Sequence, residues 1–390
     1  MTKGIILSGG WGTRLRPLTC TIPKTLMPVV NKPVIERQML HLKKAGVKEI
    51  VLAVSVMAND LKNYFQDGER LGIKIHYTNE KDPMGTAGAI KLAESFLKDD
   101  NFFMLNGDVI LNFDFKEMLK KHENYGEIGT IASKIVNDPS RYGVIIDDKN
   151  SNQILKFLEK SEYQAPEGKQ VPMPINAGVY ILEPSIFSYI EPNKRISIER
   201  DIFPNLAKER KLYHYPIDGV WKDIGKPEEL LEGNILLMND ILKNLKEKGE
   251  NLINDNVKLD KSILIYPPVT IGENVVVEKN CIIGPNVIIG NNVNIDENTE
   301  IKESLIYDEN YISKNVKIER AIVSNNCHIE KGVVLEGNEN GLVILASYVQ
   351  VLEKVRIISN TINSISVCHH EVINKNRISS DYFTSESVGD

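Results

Sequence analysis

Three glycines and three cations near the N-terminus are the residues of this 390-residue chain best suited to chemistry. A short apolar run, Ile5-Ile6-Leu7, reads as a buried strand and then breaks into Ser8-Gly9-Gly10-Trp11-Gly12. Glycines directly after a buried strand let backbone N–H groups approach an anion, because no Cβ stands in the way. Arg14, Arg16 and Lys24 follow closely, so backbone donors are backed by cations, an arrangement suited to a polyphosphate. Two common phosphate motifs are excluded. The dinucleotide fingerprint requires a glycine where Leu15 stands, and neither Gly4 nor Gly12 leads into the Lys-Ser/Thr of a P-loop.

A sheet has to hold that loop. The apolar pattern predicts a helix opening at Pro33 and ending at Gly46, a strand at Glu49–Ser55, a helix at Asn59–Gln66 and a strand at Ile73–Tyr77. Met84-Gly85-Thr86-Ala87-Gly88 leads into a helix through Leu97, and a strand at Phe102–Leu105 ends in Asn106-Gly107-Asp108. Alternating strand and helix predicts an α/β, Rossmann-like, mostly parallel sheet with ligands at the carboxyl ends of its strands. Strands at 128–135, 142–146, 154–158 and 177–182 read as a mixed extension, followed by a helix over 197–209, a strand near 212–216 and Trp221-Lys222-Asp223-Ile224-Gly225. A helix from Pro227 toward Lys248 closes this half.

Beyond it, Ile271, Val277, Ile283, Ile289, Ile295 and Ile301 recur every six residues, with a second series two residues earlier at Val269, Val275, Cys281, Val287, Val293, Thr299 and Leu305. A hexapeptide period predicts a left-handed parallel β-helix. The register slips near 313–323, 336–341 reads as an inserted loop, and one or two last coils follow. The expected division is 1–235 catalytic, 236–252 linking helix, 253–370 β-helix and 371–390 polar tail, with fraying from Ser379.

Composition narrows the class. Apolar content of 42% supports ordinary cores, and a net charge of −6 argues against a nucleic-acid binder. Four scattered cysteines make no zinc motif, and no apolar run is long enough to span a membrane. Met1-Thr2-Lys3 runs straight into strand sequence without a leader pattern, so a cytosolic protein is expected. Exposed coil ends favour a homo-oligomer assembled through the β-helix.

In order along the chain stand GGWGTRLRPLT, a Pro23-Lys24 pair, LNGD, EK, NAG and WKDIG. This set resembles the sugar-1-phosphate nucleotidylyltransferases (nucleotide-sugar pyrophosphorylases), most of all their mannose-1-phosphate guanylyltransferase branch, over roughly residues 3 to 235. The resemblance implies transfer of a nucleotidyl group from a nucleoside triphosphate to a sugar 1-phosphate. It places Leu7, Gly9, Gly10, Gly12, Thr13, Glu80, Gly85, Thr86 and Gly88 on the nucleotide side. Arg14 would grip the leaving pyrophosphate and Lys24 the α-phosphate, and Arg16 would shape the loop. By the same resemblance Asp108 and Asp223 hold Mg²⁺, although either aspartate read alone fits a turn or cap. Gly143, Glu159, Lys160 and Asn176 would receive the sugar phosphate. Ser161 stands where the family usually has Pro, Ser8 replaces the usual Ala, and Trp11 is bulky for its place.

Base choice falls to Glu80. Guanine presents adjacent N1–H and N2–H₂ donors that one carboxylate can accept together, whereas adenine and uracil edges offer an acceptor it would repel. A solvated surface charge is the alternative role for Glu80. Three other readings of the chain stand beside the guanylyltransferase. One is a glucose-1-phosphate thymidylyl-, uridylyl- or adenylyltransferase, and another is a catalytically silent regulatory paralogue. The third is a bifunctional enzyme whose β-helix transfers an acyl group, with His328 or His369-His370 as its base.

Overall fold

A computed structural model describes residues 2–378 apart from 56, 81, 161, 164–170 and 246–250. The first half runs β1 (Lys3–Ser8), a hairpin of β2 (Pro28–Val29) and β3 (Lys32–Pro33), α1 (Val34–Lys44), β4 (Glu49–Val54), α2 (Ala58–Phe65) and β5 (Lys74–Asn79). It continues through α3 (Gly85–Leu92), α4 (Glu94–Leu97), β6 (Phe102–Asn106), β7 (Val109–Asn112) and α5 (Phe115–Tyr125). Then come β8 (Gly129–Val136), β9 (Val144–Asp147), β10 (Ile154–Leu158), β11 (Met173–Leu182), α6 (Phe203–Lys208), β12 (Leu212–Pro216), β13 (Val220–Asp223) and α7 (Pro227–Asn244).

The chain divides into two compact units that are not continuous in sequence: 1–11 with 34–221, and 12–33 with 222–390. The first unit is built on a nine-stranded sheet in the order β10-β9-β11-β6-β1-β4-β5, with β8 on β11 and β12 on β8. Strands β6, β1, β4 and β5 run parallel, and β11 joins them antiparallel. The central parallel strands β6, β1 and β4 are apolar along almost their whole length and nearly fully buried, as a sheet covered on both faces requires, while β5 at the edge (KIHYTN) is partly exposed.

Three local expectations change. Pro33 pairs in β3, so α1 starts one residue later, and the helix expected through Leu97 breaks at Ala93. The helix expected over 197–209 opens as a π-helical turn at Ile198–Ile202, and α6 begins with Pro204 in its first turn, where a missing N–H costs nothing. Helix α5 has no counterpart in the apolar pattern, because only Phe115, Met118 and His122 of its face are buried. Its signals are terminal: Asp114 accepts from the Lys116 and Glu117 N–H groups, and Gly126 closes it at φ 64°.

In the second unit the hexapeptide region forms three parallel seven-stranded sheets, consistent with a left-handed β-helix. Interior positions hold Val, Ile, Leu and Cys, each burying a side chain worth about 1.5–3 kcal/mol for the larger aliphatics. The corners need left-handed backbone, and asparagines such as Asn274, Asn280, Asn292 and Asn298 supply it. Their side chains bond coil to coil, Asn274 to Asn292 at 3.0 Å and Asn280 to Asn298 at 3.2 Å.

The expected single slip is two: interior residues Ile301 and Ile306 are five apart, as are Ile318 and Val323. Coils therefore shorten from 18 residues (Val269 beside Val287) to 17 (Ile288 beside Leu305, then Ile322). They lengthen to 22 where Ala321 pairs with Val343, around the expected loop, and again where Val343 pairs with Ile365. Strands at Val372–Ile373 and Arg377–Ile378 carry the last coil past residue 370, while the expected fraying from Ser379 lies outside the described residues. Helix α7 ends at Asn244, and the first coil strand begins at Asn251.

Candidate active site

In the first unit, the parallel strands deliver their carboxyl ends to one edge of the sheet. There β1 opens into Gly9 and Gly10, β5 ends beside Glu80, and β6 ends in the turn carrying Asp108. Gly9 and Gly10 are exposed, and a Cβ at Gly10 would meet nothing within 4 Å, so its backbone is open to a ligand. The Ser55 hydroxyl pins the Gly9 carbonyl at 2.8 Å. Leu7 serves the neighbouring turn: its carbonyl accepts from Gly107 N–H at 2.9 Å. Gln38, buried in α1, donates to the carbonyls of Asn106 and Val109 at 2.9 and 3.0 Å and clamps both sides of Asp108. Half-buried Glu80 accepts from Met84 N–H through Oε2 at 2.9 Å, closing the loop before α3.

Gly85, Thr86 and Gly88 have a packing duty that the nucleotide assignment did not foresee. A Cβ at Gly85, whose φ is +73°, would lie 2.5 Å from the Ile196 carbonyl oxygen. That oxygen accepts from Ala87 and Gly88 N–H, so the first turn of α3 is satisfied from within the protein. Thr86 Oγ1 donates to Glu199 Oε2 at 2.6 Å and accepts from Ile198 N–H at 2.8 Å.

Glu199 is the centre of a polar cluster that sequence reasoning missed. It accepts from Thr86, from Ser197 Oγ at 2.8 Å and from Tyr180 Oη at 3.3 Å, and Tyr180 accepts from Asn176 Nδ2 at 2.8 Å. Glu159 faces this group: burial raises its carboxyl above the ordinary range, the Glu199 charge adds to that, and Lys160 opposes it. Asn176 also takes the Gly178 N–H on Oδ1, and its own N–H bonds the Gly143 carbonyl at 2.8 Å. Gly143 is required because a Cβ would stand 2.9 Å from the Phe157 ring. Trp221 donates to the Ala177 carbonyl at 2.8 Å and meets Tyr142 edge-on. Carboxylate, amide and ammonium groups thus converge around Glu159, Lys160 and Asn176, a donor and acceptor set suited to a polyol. Ser161, the departure beside Lys160, lies outside the described residues. Glu199→Ala is expected to raise KM for the sugar phosphate on the order of ten-fold, through loss of charge-assisted hydrogen bonds that hold Tyr180 and Asn176. An unchanged KM in steady-state assays would discard that role.

The second unit holds the remaining candidates. Gly12 sits in left-handed backbone (φ 61°), with Thr19 Oγ1 donating to its carbonyl at 2.9 Å. Thr13, Arg14 and Arg16 are exposed and Lys24 is half-buried. At Gly225 a Cβ would come within 3.1 Å of an Arg14 guanidinium nitrogen and 2.7 Å of Glu229 Oε2. Glycine in the WKDIG motif therefore lets Arg14 lie against backbone beside a buried carboxylate, which itself takes the Gly225 N–H at 2.8 Å. Asp223, half-buried, ends β13 two residues earlier.

One other constellation imitates a catalytic centre. Ser133 Oγ lies 2.7 Å from His214 Nδ1, and His214 Nε2 lies 3.0 Å from Asp147. Ser133 is 1% exposed and His214 3%, so no substrate reaches the hydroxyl. The chain of bonds ties β8, β12 and β9 together. On the β-helix, His328 packs against Tyr311 and His370 stacks on Tyr348, which accounts for these histidines as coil-to-coil packing.

A family model for nucleotidyl transferases matches residues 3–240, from β1 into α7. The chain belongs to the nucleotidyl transferase family. A second model, described as the GMPPB C-terminal domain, matches residues 265–381 in the coil region of this family member. The chain is similar to a mannose-1-phosphate guanyltransferase of Saccharomyces cerevisiae, 44% identical over 261 residues that cover 64% of this chain and 70% of that protein. It is 39% identical over 275 residues to a mannose-1-phosphate guanylyltransferase catalytic subunit beta of Xenopus tropicalis, covering 70% of this chain and 73% of the relative. Among solved structures, a putative glucose-1-phosphate thymidylyltransferase from Bacillus anthracis superimposes with a TM-score of 0.54 at 27% identity, over 60% of this chain and 95% of that one.

Proposed function

We propose that this nucleotidyl transferase moves a guanylyl group from GTP to mannose 1-phosphate and releases pyrophosphate. The observation that carries the proposal is the 39–44% identity, across most of both chains, to relatives named for that reaction. The thymidylyltransferase likeness supports the fold and leaves the runner-up substrate pair at lower identity. A silent paralogue is disfavoured because Arg14, Lys24, Asp108 and Asp223 are all present.

The sugar phosphate oxygen is already an anionic nucleophile, so the work of the protein is positioning and charge neutralisation. The open backbone at Gly10 and the turn at Gly12 receive the triphosphate. Arg14, laid over Gly225, draws charge toward the leaving pyrophosphate, and Lys24 stabilises charge at the α-phosphorus. Glu159, Asn176 and Lys160 hold the sugar hydroxyls and phosphate. Asp108 and Asp223 are the residues that would hold Mg²⁺. Their hard oxygens fit an ion that takes one or two carboxylates plus substrate phosphates, and among the described residues no group of three or more acidic, histidine or cysteine ligands gathers. When bound, the ion neutralises phosphate charge and orients the leaving group.

Glu80 reads guanine in this scheme. Its Oε2 closes the 80–84 loop, and Gln at this position keeps an oxygen for the Met84 N–H, so Glu80→Gln changes base recognition without opening the loop. Pyrophosphate release over five nucleoside triphosphates and several sugar 1-phosphates tests the whole assignment: GTP with mannose 1-phosphate is expected to lead. Glu80→Gln is expected to lower the GTP preference on the order of ten- to a hundred-fold. A wild-type preference in that variant removes the base-reading role. We also keep the enzyme cytosolic and self-associating through its β-helix. No helix among the described residues is long and apolar enough to cross a membrane, and Leu264, Tyr266, Tyr348 and Val372 expose apolar surface on the coils.

A further inference from the structure

One sheet of the β-helix differs from the other two. Its outward residues Thr270, Ile288, Leu305, Ile322 and Ile344 stand in register, coil above coil, and all are buried. The outward row of the second sheet, by contrast, includes exposed Asn294, Tyr311, His328 and Val372. A buried outward row has something lying on it. Residues 12–33 belong to the same compact unit as the coils, and their hydrogen bonds identify part of the cover.

Thr21 Oγ1 lies 2.9 Å from Ser347 Oγ, the Tyr307 hydroxyl donates to the Pro28 carbonyl at 3.4 Å, and Asn31 Nδ2 donates to the Ile289 carbonyl at 2.7 Å. Ile289, Tyr307 and Ser347 sit at or just past the ends of three strands of that one sheet: Val287–Ile289, Leu305–Ile306 and Val343–Leu345. As the loop advances from Thr21 through Pro28 to Asn31, its partners retreat from Ser347 through Tyr307 to Ile289. The segment descends the β-helix coil by coil. Ser324, on the intervening coil, bonds Ser347 at 3.0 Å, and Asn234 of α7 takes the Val30 N–H at 2.8 Å.

Around these anchors the loop consists of 3₁₀ turns at Leu18–Cys20 and Lys24–Leu26 and the β2–β3 hairpin. A segment made of short turns and a two-residue hairpin takes its overall path from what it is tied to. Lys24 falls between the Thr21 and Pro28 anchors. We infer that Tyr307 and Ser347 are positioning residues for nucleotidyl transfer, and that the β-helix face is the template that fixes residues 21–31 and sets the Lys24 ammonium against the α-phosphate. The inference rests on the reading of Lys24 given above.

Pyrophosphate-release kinetics test it with Tyr307→Phe, Ser347→Ala and Lys24→Ala, singly and with each β-helix change placed in the Lys24→Ala background. Tyr307→Phe and Ser347→Ala are expected to lower kcat on the order of ten-fold or more, since displacement of a reacting group by about 1 Å is enough for that, with KM for both substrates nearly unchanged. In the Lys24→Ala background they are expected to have no further effect, because they act through that ammonium. Thr21→Val reads the same anchor from the loop side if Ser347→Ala does not accumulate. A brace with only a structural role would lower the melting temperature and leave kcat per folded enzyme untouched. That result, or losses that add to those of Lys24→Ala, overturns the inference. Wild-type turnover by Lys24→Ala defeats the reading of Lys24 and the inference with it. A crippled Lys24→Ala beside wild-type Tyr307→Phe and Ser347→Ala defeats the inference alone.

Discussion

Asp108→Ala and Asp223→Ala are each expected to reduce kcat by on the order of a thousand-fold while the chain still folds. The turn that carries Asp108 is shaped by backbone bonds, from Gly107 N–H to the Leu7 carbonyl and from Gln38 to the carbonyls of Asn106 and Val109. These backbone bonds remain available to the alanine variant and hold the turn. Asp223 ends a strand whose next residue, Ile224, is fully buried and keeps the segment anchored. The loss therefore falls on chemistry rather than stability. Pyrophosphate release across a magnesium titration, paired with circular-dichroism melts, measures both. Near-wild-type turnover in either variant would withdraw the metal assignment from that residue.

Stability is expected to fall steeply between about pH 6.5 and about pH 4, through two histidines that the reaction does not use. His122 is 1% exposed, with Nδ1 2.9 Å from Thr130 Oγ1, and burial lowers its pKa to about 4. His41, stacked on Phe115 at 5.4 Å, is also lowered to about 4, by burial first and then by the charges of Lys44 and Arg37. Both folded-state values lie below the unfolded one. Their contribution is thus complete above about pH 6.5 and is lost as the unfolded chain takes up protons that the native state refuses. For His122 the full loss is about 3 kcal/mol, and for the more exposed His41 it is smaller. Urea melts from pH 7.5 to 4 measure it, and His122→Phe should flatten the slope by up to one proton. A pH-independent midpoint over that interval would show that these rings titrate normally in the folded chain.

Where the sequence was legible, the signal was local. Strands β1 and β6 follow from short apolar runs, Ile5-Ile6-Leu7 and Phe102–Leu105, that break soon afterwards at Gly9 and Gly107, and most of the coils follow from a six-residue spacing. Where it was not, a long-range contact had taken over a residue. Gly85, Thr86 and Gly88 have the composition of a phosphate-binding helix start, yet the Ile196 carbonyl occupies that helix end. Glu199 and Gln38 carry no motif, and only folding shows that one gathers Thr86, Ser197 and Tyr180 and the other clamps the Asp108 turn. The second coil shortening was hidden because Leu305 stands six residues after Thr299 and kept the apparent period.

The sequence alone offered the candidate site residues of this protein, a glycine-cation loop, two aspartates at segment ends and a Glu-Lys pair, and the β-helix to follow. These are properties of residue type and near spacing, and backbone sterics translate them directly into structure. Only the tertiary structure decided what the loop leans on. Thr21 and Ser347 are 326 residues apart, and no periodicity connects them. Their meeting depends on the stacking of coils that puts Ile289, Tyr307 and Ser347 along one sheet, where hydrogen bonds tie them to the segment that carries Lys24.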